Sequence, residues 1–545
     1  MFPRSVLNCL DAELPKINPL LGNGLAVEHL KHVEDYIDNV FKVVAAGFPP
    51  GLVYEGPRRC TPLEEWAETT RKKNNRSVFD IARSDIYMVE YRFSYYDKET
   101  GKRTPLHSRY FSLPFVSKAG TIYLGGARFV ISPVLSDRVI SIGMTSVFVR
   151  LLKAKLTFNR ATHHYVINGG TRESVYVVWS DVYNEKSNPN APKPTVDANC
   201  TLVHYLLCKY GFTETFKRFA GCVPIVGGDE LTEENYPASQ WVICRSRQFA
   251  PTGYKQSIYP MSTLRLAIPI EHYTPMMRGM VGGFYYVVDH FPDRIFPTAE
   301  YYDSRRLWMV LLGHLIWSGN EREGILYTDV ETHIASLDEY VDTLMQTKLA
   351  SAGYHCPDIY TLFGLILENF NLWLSSSNDR VNTMYGKELS VLPYVCYPIT
   401  VAIVKLYFKL KAAMKGELTA KKIEKIMDTG LKPGAIFKII REHGEVTTTT
   451  TSGDNMALKI TSLLVPQSSS SQTRSKKDRV AIADPAKRLH ASIAEVGSYA
   501  GLPKSEPTGR SRLNLMLDTG PEGEVLRDPA LAPLLDSVQA KLKRS

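Results

Sequence analysis

Alternation between apolar and polar residues from Ile86 to about Ile142 constrains the fold of this chain more than any other feature. The segments YMVEYRFSYY and RYFSLPFV alternate in this way and are rich in aromatic residues, as strands are. The charged segment DKETGKR between them predicts a turn, and a Gly-Gly pair between TIYL and RFVISPVL predicts a second, tighter one. We therefore expect this part of the chain to form β-sheet.

Helical periodicity dominates near the start of the chain and in its second half. Apolar residues from Val27 to Val44 recur at helical spacing, and the segments between about 355 and 445 show the same pattern. Between about 160 and 350, strand-like segments such as ESVYVVWSDVY mix with helical ones such as RRLWMVLLGHLIW and SLDEYVDTLMQTKLA. Because 545 residues are too many for one compact core, the sequence predicts a multidomain α+β protein.

A cluster of basic residues follows a change of composition toward the C-terminus. Thr447–Ser452 and Ser468–Ser471 are nearly all Thr or Ser, and the basic residues lie among hydroxyls and glycines. Side chains of this kind donate hydrogen bonds to phosphates, which favours a nucleic-acid interface. The alternative is solvated surface, since no aromatic residues interleave and the net charge of +9 favours polyanionic partners only weakly. The candidate binding residues are Arg474, Lys476, Lys477, Arg479, Lys487, Arg488, Arg510 and Arg512.

Motifs that carry catalysis are missing from the sequence. It contains no phosphate-loop, nucleophile-elbow, zinc-protease or EF-hand signature, and no Asp-x-Asp-x-Asp cluster that would hold two magnesium ions. Its eight cysteines form no Cys-x-x-Cys pair, so we expect reduced thiols and no metal site. His163 and His164 are expected on opposite faces of a strand in packing or surface roles, and Gly227-Gly228 and Gly282-Gly283 are interpreted as turns.

No segment predicts a membrane span. The N-terminus has acids and prolines where a signal peptide needs a basic start and an apolar run. The uncharged stretch 390–404 is short for a span of about 20 residues and contains Pro393 and Pro398. We interpret it as a buried helix and expect no membrane partner.

Residues 91–135 resemble the protrusion of multisubunit RNA polymerase β subunits. That family has a strand, a charged turn and a second strand, followed by a G-T-F-I-I-N-G-x-E-R-V-I-V-S-Q-L segment. Here Arg128-Phe129 replaces the family's Glu-Arg and Pro133-Val134 replaces its Ser-Gln, so the contacts of those side chains do not carry over. The positions that match in register are Gly120, Thr121, Ile122, Leu124, Gly126, Val130, Ile131 and Leu135.

Residues 431–515 resemble the second section of the protrusion and the fork of the same family. The family has a serine-rich loop, a basic cluster, a K/R-x-L-H segment and a C-P-x-E-T-P-E-G signature. Both acids of that signature have moved or gone here, and Asp379-Arg380 with Asn382 resembles the D-x-x-x-x-R pattern before the preceding helix. The segments recur in order as Ser469-Ser470, Arg474-x-Lys476-Lys477, Lys487-Arg488-Leu489-His490 and Leu502–Gly509.

The two resemblances imply an RNA polymerase β-like fold with protrusion, lobe and fork. The implied divisions are 1–155 for the first section of the protrusion, 156–354 for the lobe, 355–460 for a helical second section of the protrusion, and 461–545 for the fork and C-terminal segment. The chain ends soon after the signature, where a β subunit is near its midpoint. In this it resembles the split β subunit of giant phiKZ-like bacteriophage RNA polymerases, and we expect it to be complete as such a half.

The resemblance implies a subunit of a DNA-directed RNA polymerase, a nucleotidyltransferase, whose catalytic residues are on other chains. The implied partners are a β C-terminal-half subunit, β′-like subunits, the DNA template and the RNA transcript. Mg²⁺ would be bound by a partner chain and not by this one. The basic residues would line the cleft at the fork loop. The expected location is the infected bacterial host, in its cytoplasm or a phage replication compartment, with packaging in the virion left open.

Two interpretations from other classes remain at this point. One is a virion structural or injected protein without a polymerase role, which presence in a stoichiometric transcribing complex would exclude. The other is a stand-alone nucleic-acid-binding protein, which duplex binding by the isolated chain at physiological salt would favour.

Overall fold

The computed structural model divides the chain into two compact units. Unit 1 combines Met1–Arg138 with Asn382–Ser545, and unit 2 is the intervening stretch Val139–Val381. The structure describes residues 29–72, 84–97, 101–115, 121–131, 133–143, 145–180, 182, 198–246, 262–317, 322–375, 383–414, 418–431, 447–449, 464–468, 492, 510–512, 517–520, 523–526 and 533.

The described strands range from three to thirteen residues and pair into sheets within each unit. Their bounds are Leu52–Arg59 (β1), Ile86–Tyr96 (β2), Arg103–Pro105 (β3), Arg109–Pro114 (β4), Thr121–Leu124 (β5), Ala127–Ile131 (β6), Val134–Asp137 (β7), Ile140–Ile142 (β8), Val147–Arg150 (β9), Lys155–Ile167 (β10), Thr171–Ser180 (β11), Ile225–Gly227 (β12), Trp241–Arg245 (β13), Arg265–Pro269 (β14), Lys387–Ser390 (β15), Thr447–Thr449 (β16), Leu464–Ser468 (β17) and Arg510–Arg512 (β18).

Helices are concentrated in unit 2 and at the start of the C-terminal portion of unit 1. Their bounds are Val33–Ala45 (α1), Pro62–Lys72 (α2), Leu202–Ala220 (α3), Pro275–His290 (α4), Ala299–Tyr302 (α5), Arg305–Ile316 (α6), Glu323–Leu337 (α7), Thr343–Ser351 (α8), Ile359–Ser375 (α9), Leu392–Val395 (α10), Tyr397–Ala413 (α11) and Ala420–Gly430 (α12).

Unit 1 has an aromatic core between helix α1 and the β1–β2–β3 sheet, in which β4 also pairs with β2. The ring of Phe41 in α1 stacks on Tyr54 of β1 at a centroid distance of 5.0 Å, and it lies equally close to Tyr91 of β2. The Tyr54 hydroxyl donates a hydrogen bond of 2.8 Å to Asp38 Oδ1, one turn earlier in α1. The aromatic residues that predicted strands thus supply the side chains that hold α1 on the sheet.

Two further sheets of unit 1 join segments that are far apart in the sequence. The β5–β6 hairpin pairs with β16, and β7 pairs with both β15 and β17. Gly125 and Gly126 close the hairpin with φ angles of 57° and 79°, which glycine adopts without steric penalty. The predicted tight turn is confirmed.

Unit 2 is a seven-stranded sheet covered by helices. Its strand order is β12-β14-β13-β10-β9-β8, and β11 pairs with β10 along its whole length. Helix α4 packs closely on its neighbours, because a Cβ on Gly282 would collide with Val175 of β11, and one on Gly283 with Val203 of α3. The interpretation of this glycine pair as a turn is wrong, since both residues lie inside α4, where their small size permits close packing.

Buried histidines of unit 2 lie beside polar groups. His204 Nε2 lies 2.9 Å from the carbonyl oxygen of Trp308. His163 is buried with its Nε2 3.2 Å from Asp289 Oδ2, while His164 is half-buried at the next position of β10. Successive strand residues point to opposite faces, so His163 and His164 lie on opposite faces of β10 as expected, with His163 packed in the interior.

Helices are found where the apolar periodicity is long, but one predicted helical segment is interrupted. The segment SLDEYVDTLMQTKLA contains the last two residues of α7 and all of α8 except its final Ser351. Asp342 caps α8 by accepting the Met345 N–H at 3.0 Å, and the preceding Glu339 pairs with buried Lys153 at 3.3 Å. Strand β15, which was not predicted, lies between the segments of 355–445 that have helical periodicity.

The compact units divide the chain after Arg138 and after Val381, whereas the sequence placed divisions after 155 and 354. Strands β8 and β9 continue the sheet of unit 2 through β10. Helix α9 joins the same core, where Phe363 packs edge-on against Phe158 of β10. The assignment of these regions to a protrusion, a lobe and a fork stays a prediction.

Among the described helices, none is long and apolar enough to cross a membrane. The uncharged stretch 390–404 is divided between α10 and α11. In α11 the side chains of Ile399 and Ile403 are buried, whereas Tyr397 and Phe408 are exposed. The prediction of a buried helix is therefore correct for one face of α11.

Candidate nucleic-acid interface

Strands β15, β7, β17 and β18 form one sheet of unit 1, which we call the anchoring sheet. Strand β7 is antiparallel to β15 and parallel to β17, with Leu135 opposite both Leu389 and Gln467. Strand β18 is antiparallel to β17, and Pro466 lies opposite Arg510. The last strand of the segment that resembles the protrusion therefore shares a sheet with strands from the C-terminal portion of the chain.

The anchoring sheet holds both ends of residues 469–509, which we call the basic segment. Strand β17 ends at Ser468 and its partner β18 begins at Arg510, so the chain leaves and re-enters the sheet at neighbouring strands. The basic segment carries seven lysines and arginines against four acids. The residues that border this segment on both sides, Ser468 and Arg510, therefore lie in neighbouring strands of unit 1.

Ser492 fixes a third point of the basic segment. Its hydroxyl oxygen accepts a hydrogen bond of 2.9 Å from the backbone N–H of Met384, and its side chain is 1 % exposed. Met384 lies in a short turn directly before β15 of the anchoring sheet. In the sequence, the candidate residues from Arg474 to Arg488 lie between two described residues of unit 1, Ser468 and Ser492.

A buried ion pair reinforces the anchoring sheet. Lys387 of β15 is directly opposite Asp137 of β7, and the Lys387 Nζ lies 2.7 Å from Asp137 Oδ1. The Lys387 side chain is 3 % exposed. Ser136 is opposite Glu388, and its hydroxyl lies 3.3 Å from that of Ser390, diagonally across the two strands in the interior. Polar groups at this depth persist only when paired, so they specify how β15 aligns on β7.

The other edge of β15 pairs with residues 523–525. Leu389 donates its N–H to the carbonyl of Gly523 at 2.7 Å, and Val525 donates to Lys387 at 3.3 Å. Gly523 has a φ of 87°, and a Cβ at this position would collide with the Leu389 carbonyl. Glycine is required here both for its backbone conformation and for the close approach of the two chain segments.

Strand β16, part of the hydroxyl-rich tract Thr447–Ser452, pairs with the segment that resembles the protrusion. Strand β16 pairs with β6, with Thr447 opposite Ile131 and Thr449 opposite Phe129. Neither β16 nor β17 was predicted as a strand from the sequence. β-Branched threonines in β16 and the pair Leu464-Val465 in β17 are the signals that favoured strands there.

The structure places two of the eight candidate residues. The backbones of Arg510 and Arg512 lie in β18, opposite Pro466 and Leu464. The other candidates, with the remaining motifs of the predicted fork and of the segment before it, lie outside the described residues. These are Arg474, Lys476, Lys477, Arg479, Lys487 and Arg488, together with Ser469-Ser470, Leu489-His490, Leu502–Gly509, Asp379-Arg380 and Asn382.

The described part of the anchoring sheet flanks a basic segment and shows no cluster of metal-ligating side chains. Within the regions of the chain that the structure describes, no group of three or more His, Cys, Asp or Glu side chains could hold a metal ion. Ser468 and Arg510, which border the basic segment, lie in paired strands of the anchoring sheet, and Ser492 within it is hydrogen-bonded to Met384. Such a segment can neutralise phosphates of a nucleic acid without reading its sequence.

Comparison with known families matches residues 3–539 to the family described as "Non-virion RNA polymerase subunit". Because the match spans nearly the whole chain, the protein belongs to the non-virion RNA polymerase subunit family. No curated protein matches the chain. The expectation of an RNA polymerase subunit is confirmed at this level. The chain belongs to a transcription enzyme with other subunits and nucleic acid as partners.

Proposed function

We propose that this RNA polymerase subunit takes the place of the N-terminal half of a β subunit, with the basic segment as its fork loop in the DNA/RNA cleft. The parallel pairing of Leu135 with Gln467 carries this proposal. It unites, in one sheet, the two distant segments that resemble the protrusion and the fork. A chance resemblance of either segment would not require the two to meet.

The discontinuity of unit 1 supports the same assignment. The N-terminal and C-terminal stretches of the chain form one unit, and Val139–Val381 is inserted between them. This matches the order that the resemblance implies, in which a lobe interrupts a protrusion built from two sections. A mixed helix and sheet composition in both units is compatible with that fold.

The role that follows is electrostatic and architectural. The chain forms one wall of the cleft, and the basic segment neutralises phosphates where strands separate. In the proposed enzyme, the Mg²⁺ ions of phosphoryl transfer are bound by carboxylates of a β′-like subunit. A β C-terminal-half subunit supplies the groups that contact the entering nucleotide. The split arrangement is that of giant phiKZ-like bacteriophages, acting in the infected host cell.

Family membership favours this function over the two alternatives. A virion structural or injected protein without a polymerase role does not fit a family described by a non-virion polymerase subunit. A stand-alone nucleic-acid-binding protein would work without the other subunits. Measuring both assembly and transcription distinguishes that case from the proposed one.

Charge reversal in the basic segment tests the proposal. Lys476→Glu/Lys477→Glu is assembled with the other subunits, and elongation is measured over a range of salt concentrations. We expect normal assembly and slower elongation. A plot of log affinity for duplex template against log salt concentration should also become less steep by about 1.8, or 0.9 per lost phosphate contact.

The exposed pair Lys421-Lys422 at the start of α12 provides the matched control. Lys421→Glu/Lys422→Glu reverses the same two charges, and acids at a helix N-terminus do not destabilise the helix. This variant should transcribe like the wild type. Unchanged elongation by the assembled Lys476→Glu/Lys477→Glu enzyme would contradict the fork assignment, and absence of the chain from the transcribing complex would contradict the subunit role.

A further inference from the structure

Three arginines lie in one row across the sheet of unit 2. Val166 of β10 is opposite Arg172 of β11 and also opposite Arg245 of β13, and Arg245 is opposite Arg265 of β14. Residues directly opposite each other in antiparallel strands share one face of the sheet. We call Arg172, Arg245 and Arg265 the arginine row. With strands about 4.8 Å apart, it spans roughly 14 Å.

The arginine row places three positive charges on one face of the sheet. Arg245 and Arg265 are directly opposite each other, and like charges in this arrangement destabilise a sheet. Arg265 is held by the Leu231 carbonyl at 3.0 Å and by Asp229 at 2.6 Å, although the Asp229 side chain is 82 % exposed and that ion pair is weak. Arg172 and Arg245 have no carboxylate partner within the described portion of the chain. A bound anion would remove this repulsion.

A recess of about 240 Å³ opens beside the arginine row. Arg245, Arg265 and the turn Asn168–Gly170 between β10 and β11 line it. Gly170 has a φ of 82°, and even an added Cβ would stay 3.8 Å from the Arg245 guanidinium, so the recess is open at this point. Glu233 at its edge is already engaged, since it accepts the Gly169 N–H at 2.6 Å.

The same face continues along β10 and β11 with an exposed aromatic residue. The guanidinium carbon of Arg160 lies 4.0 Å from the ring centroid of Tyr176, and its Nη1 donates to Asn371 at 3.2 Å. Tyr176 is 45 % exposed. The two strands contain a single acid, Glu173, which alternation places on the opposite face, 3.5 Å from Arg278.

We propose that the arginine row and Tyr176 form a second nucleic-acid-binding surface, on unit 2, for the backbone of a single strand. Guanidinium groups bind phosphate through paired hydrogen bonds. A strand carries one phosphate per about 3.4 Å of helix axis, so a row of roughly 14 Å faces more than one. An exposed tyrosine offers a base a stacking partner, which an acidic peptide could not use. The inference extends the proposed function to a second place on the same subunit.

Direct binding by the full-length chain tests this inference. The probe is a fluorescein-labelled single-stranded DNA of mixed sequence, followed by anisotropy at increasing salt. Arg172→Gln/Arg245→Gln should weaken binding on the order of tenfold at low salt and reduce the salt slope by about 1.4, or 0.7 per phosphate. Arg172→Lys/Arg245→Lys keeps the charge and should retain most of the affinity. Circular dichroism verifies that each variant is folded.

Two further variants separate the surface from general charge effects. Lys217→Gln/Arg218→Gln removes two charges from the last turn of α3 and should bind like the wild type. Tyr176→Ala should weaken binding of the oligonucleotide but leave binding of poly-glutamate unchanged. Equal dependence of both ligands on the arginines, with no effect of Tyr176→Ala, would identify an acidic-protein surface and overturn the nucleic-acid assignment.

The outcomes distinguish this inference from the proposed function. Wild-type affinity of Arg172→Gln/Arg245→Gln, or no binding by the wild-type chain at low salt, overturns the inference and leaves the fork assignment intact. If the chain does not enter a transcribing complex but still loses binding in this variant, the proposed function fails and the unit 2 surface stands.

Discussion

Lys387 Nζ lies 2.7 Å from Asp137 Oδ1, across the register pair that joins β15 to β7 in the anchoring sheet. The lysine is almost completely buried, while the aspartate is 22 % exposed. Removing the acid leaves a buried cation without its partner. The pair therefore stabilises the pairing of β15 with β7. Strand β7 in turn pairs with β17, the strand that precedes the basic segment.

Asp137→Ala should lower the free energy of unfolding by about 2–4 kcal/mol. This is toward the low end of the cost of removing one partner of a buried ion pair, because Asp137 is partly solvated. The double variant Asp137→Leu/Lys387→Met should recover most of that loss, since it removes both charges and keeps apolar volume. Urea unfolding of the full chain measures both. Equal destabilisation by the single and double variants would show that the pair contributes nothing specific.

Gly282 and Gly279, three residues apart in α4, should respond oppositely to alanine. A Cβ on Gly282 would collide with Val175, so Gly282→Ala should cost about 1–3 kcal/mol through overpacking. A Cβ on Gly279 would meet nothing within 4 Å, so Gly279→Ala should stabilise by about 0.5–1 kcal/mol through helix propensity. Thermal unfolding of the two variants measures both changes in stability. A change of the same sign in both variants would refute the packing role of Gly282.

Acid should destabilise unit 2 through two buried histidines. Burial lowers the pKa of His204 and of His333 to about 4, below the value of about 6.5 in an unfolded chain. Below pH 6.5 the unfolded state binds protons that the folded state does not, so stability falls as the pH falls toward 4. Each histidine should cost about 2 kcal/mol between pH 7 and pH 5.

His333→Gln should remove its share of that dependence, whereas His355→Gln, at an exposed position, should leave it unchanged. The measurement is the urea midpoint of the full chain at pH 7 and pH 5. An unchanged pH dependence in His333→Gln would mean that His333 does not titrate as burial requires.

Ser492→Ala should weaken the attachment of the basic segment. The buried N–H of Met384 would lose its acceptor, at a cost of about 1–2 kcal/mol. If the basic segment is the fork loop, elongation by the reconstituted enzyme should also become more sensitive to salt. Thr201→Val in unit 2 is the control, because it removes a helix cap of similar energy far from the segment in sequence. Equal salt sensitivity of the two variants would show a general loss of stability instead.

The sequence alone was sufficient for elements whose pattern is local and long. Strand alternation predicted β2 and β4, helical spacing predicted α9 and α11, and the glycine pair at 125–126 predicted a hairpin turn, all of which the structure contains. It also supplied the resemblance that pointed to an RNA polymerase subunit. These features are determined by residues that are close together in the sequence, so periodicity and turn residues are enough to predict them.

The tertiary structure alone decided which distant elements meet. Strands as short as β16 and β17 carry too few residues for a recognisable period, and pairing with β6 and β7 stabilises them. The same holds for the arginine row, whose members come from three different strands, and for Gly282, whose packing against Val175 requires a folded sheet. Register between strands is set by non-local contacts, so a row that crosses several strands is not visible in any one of them.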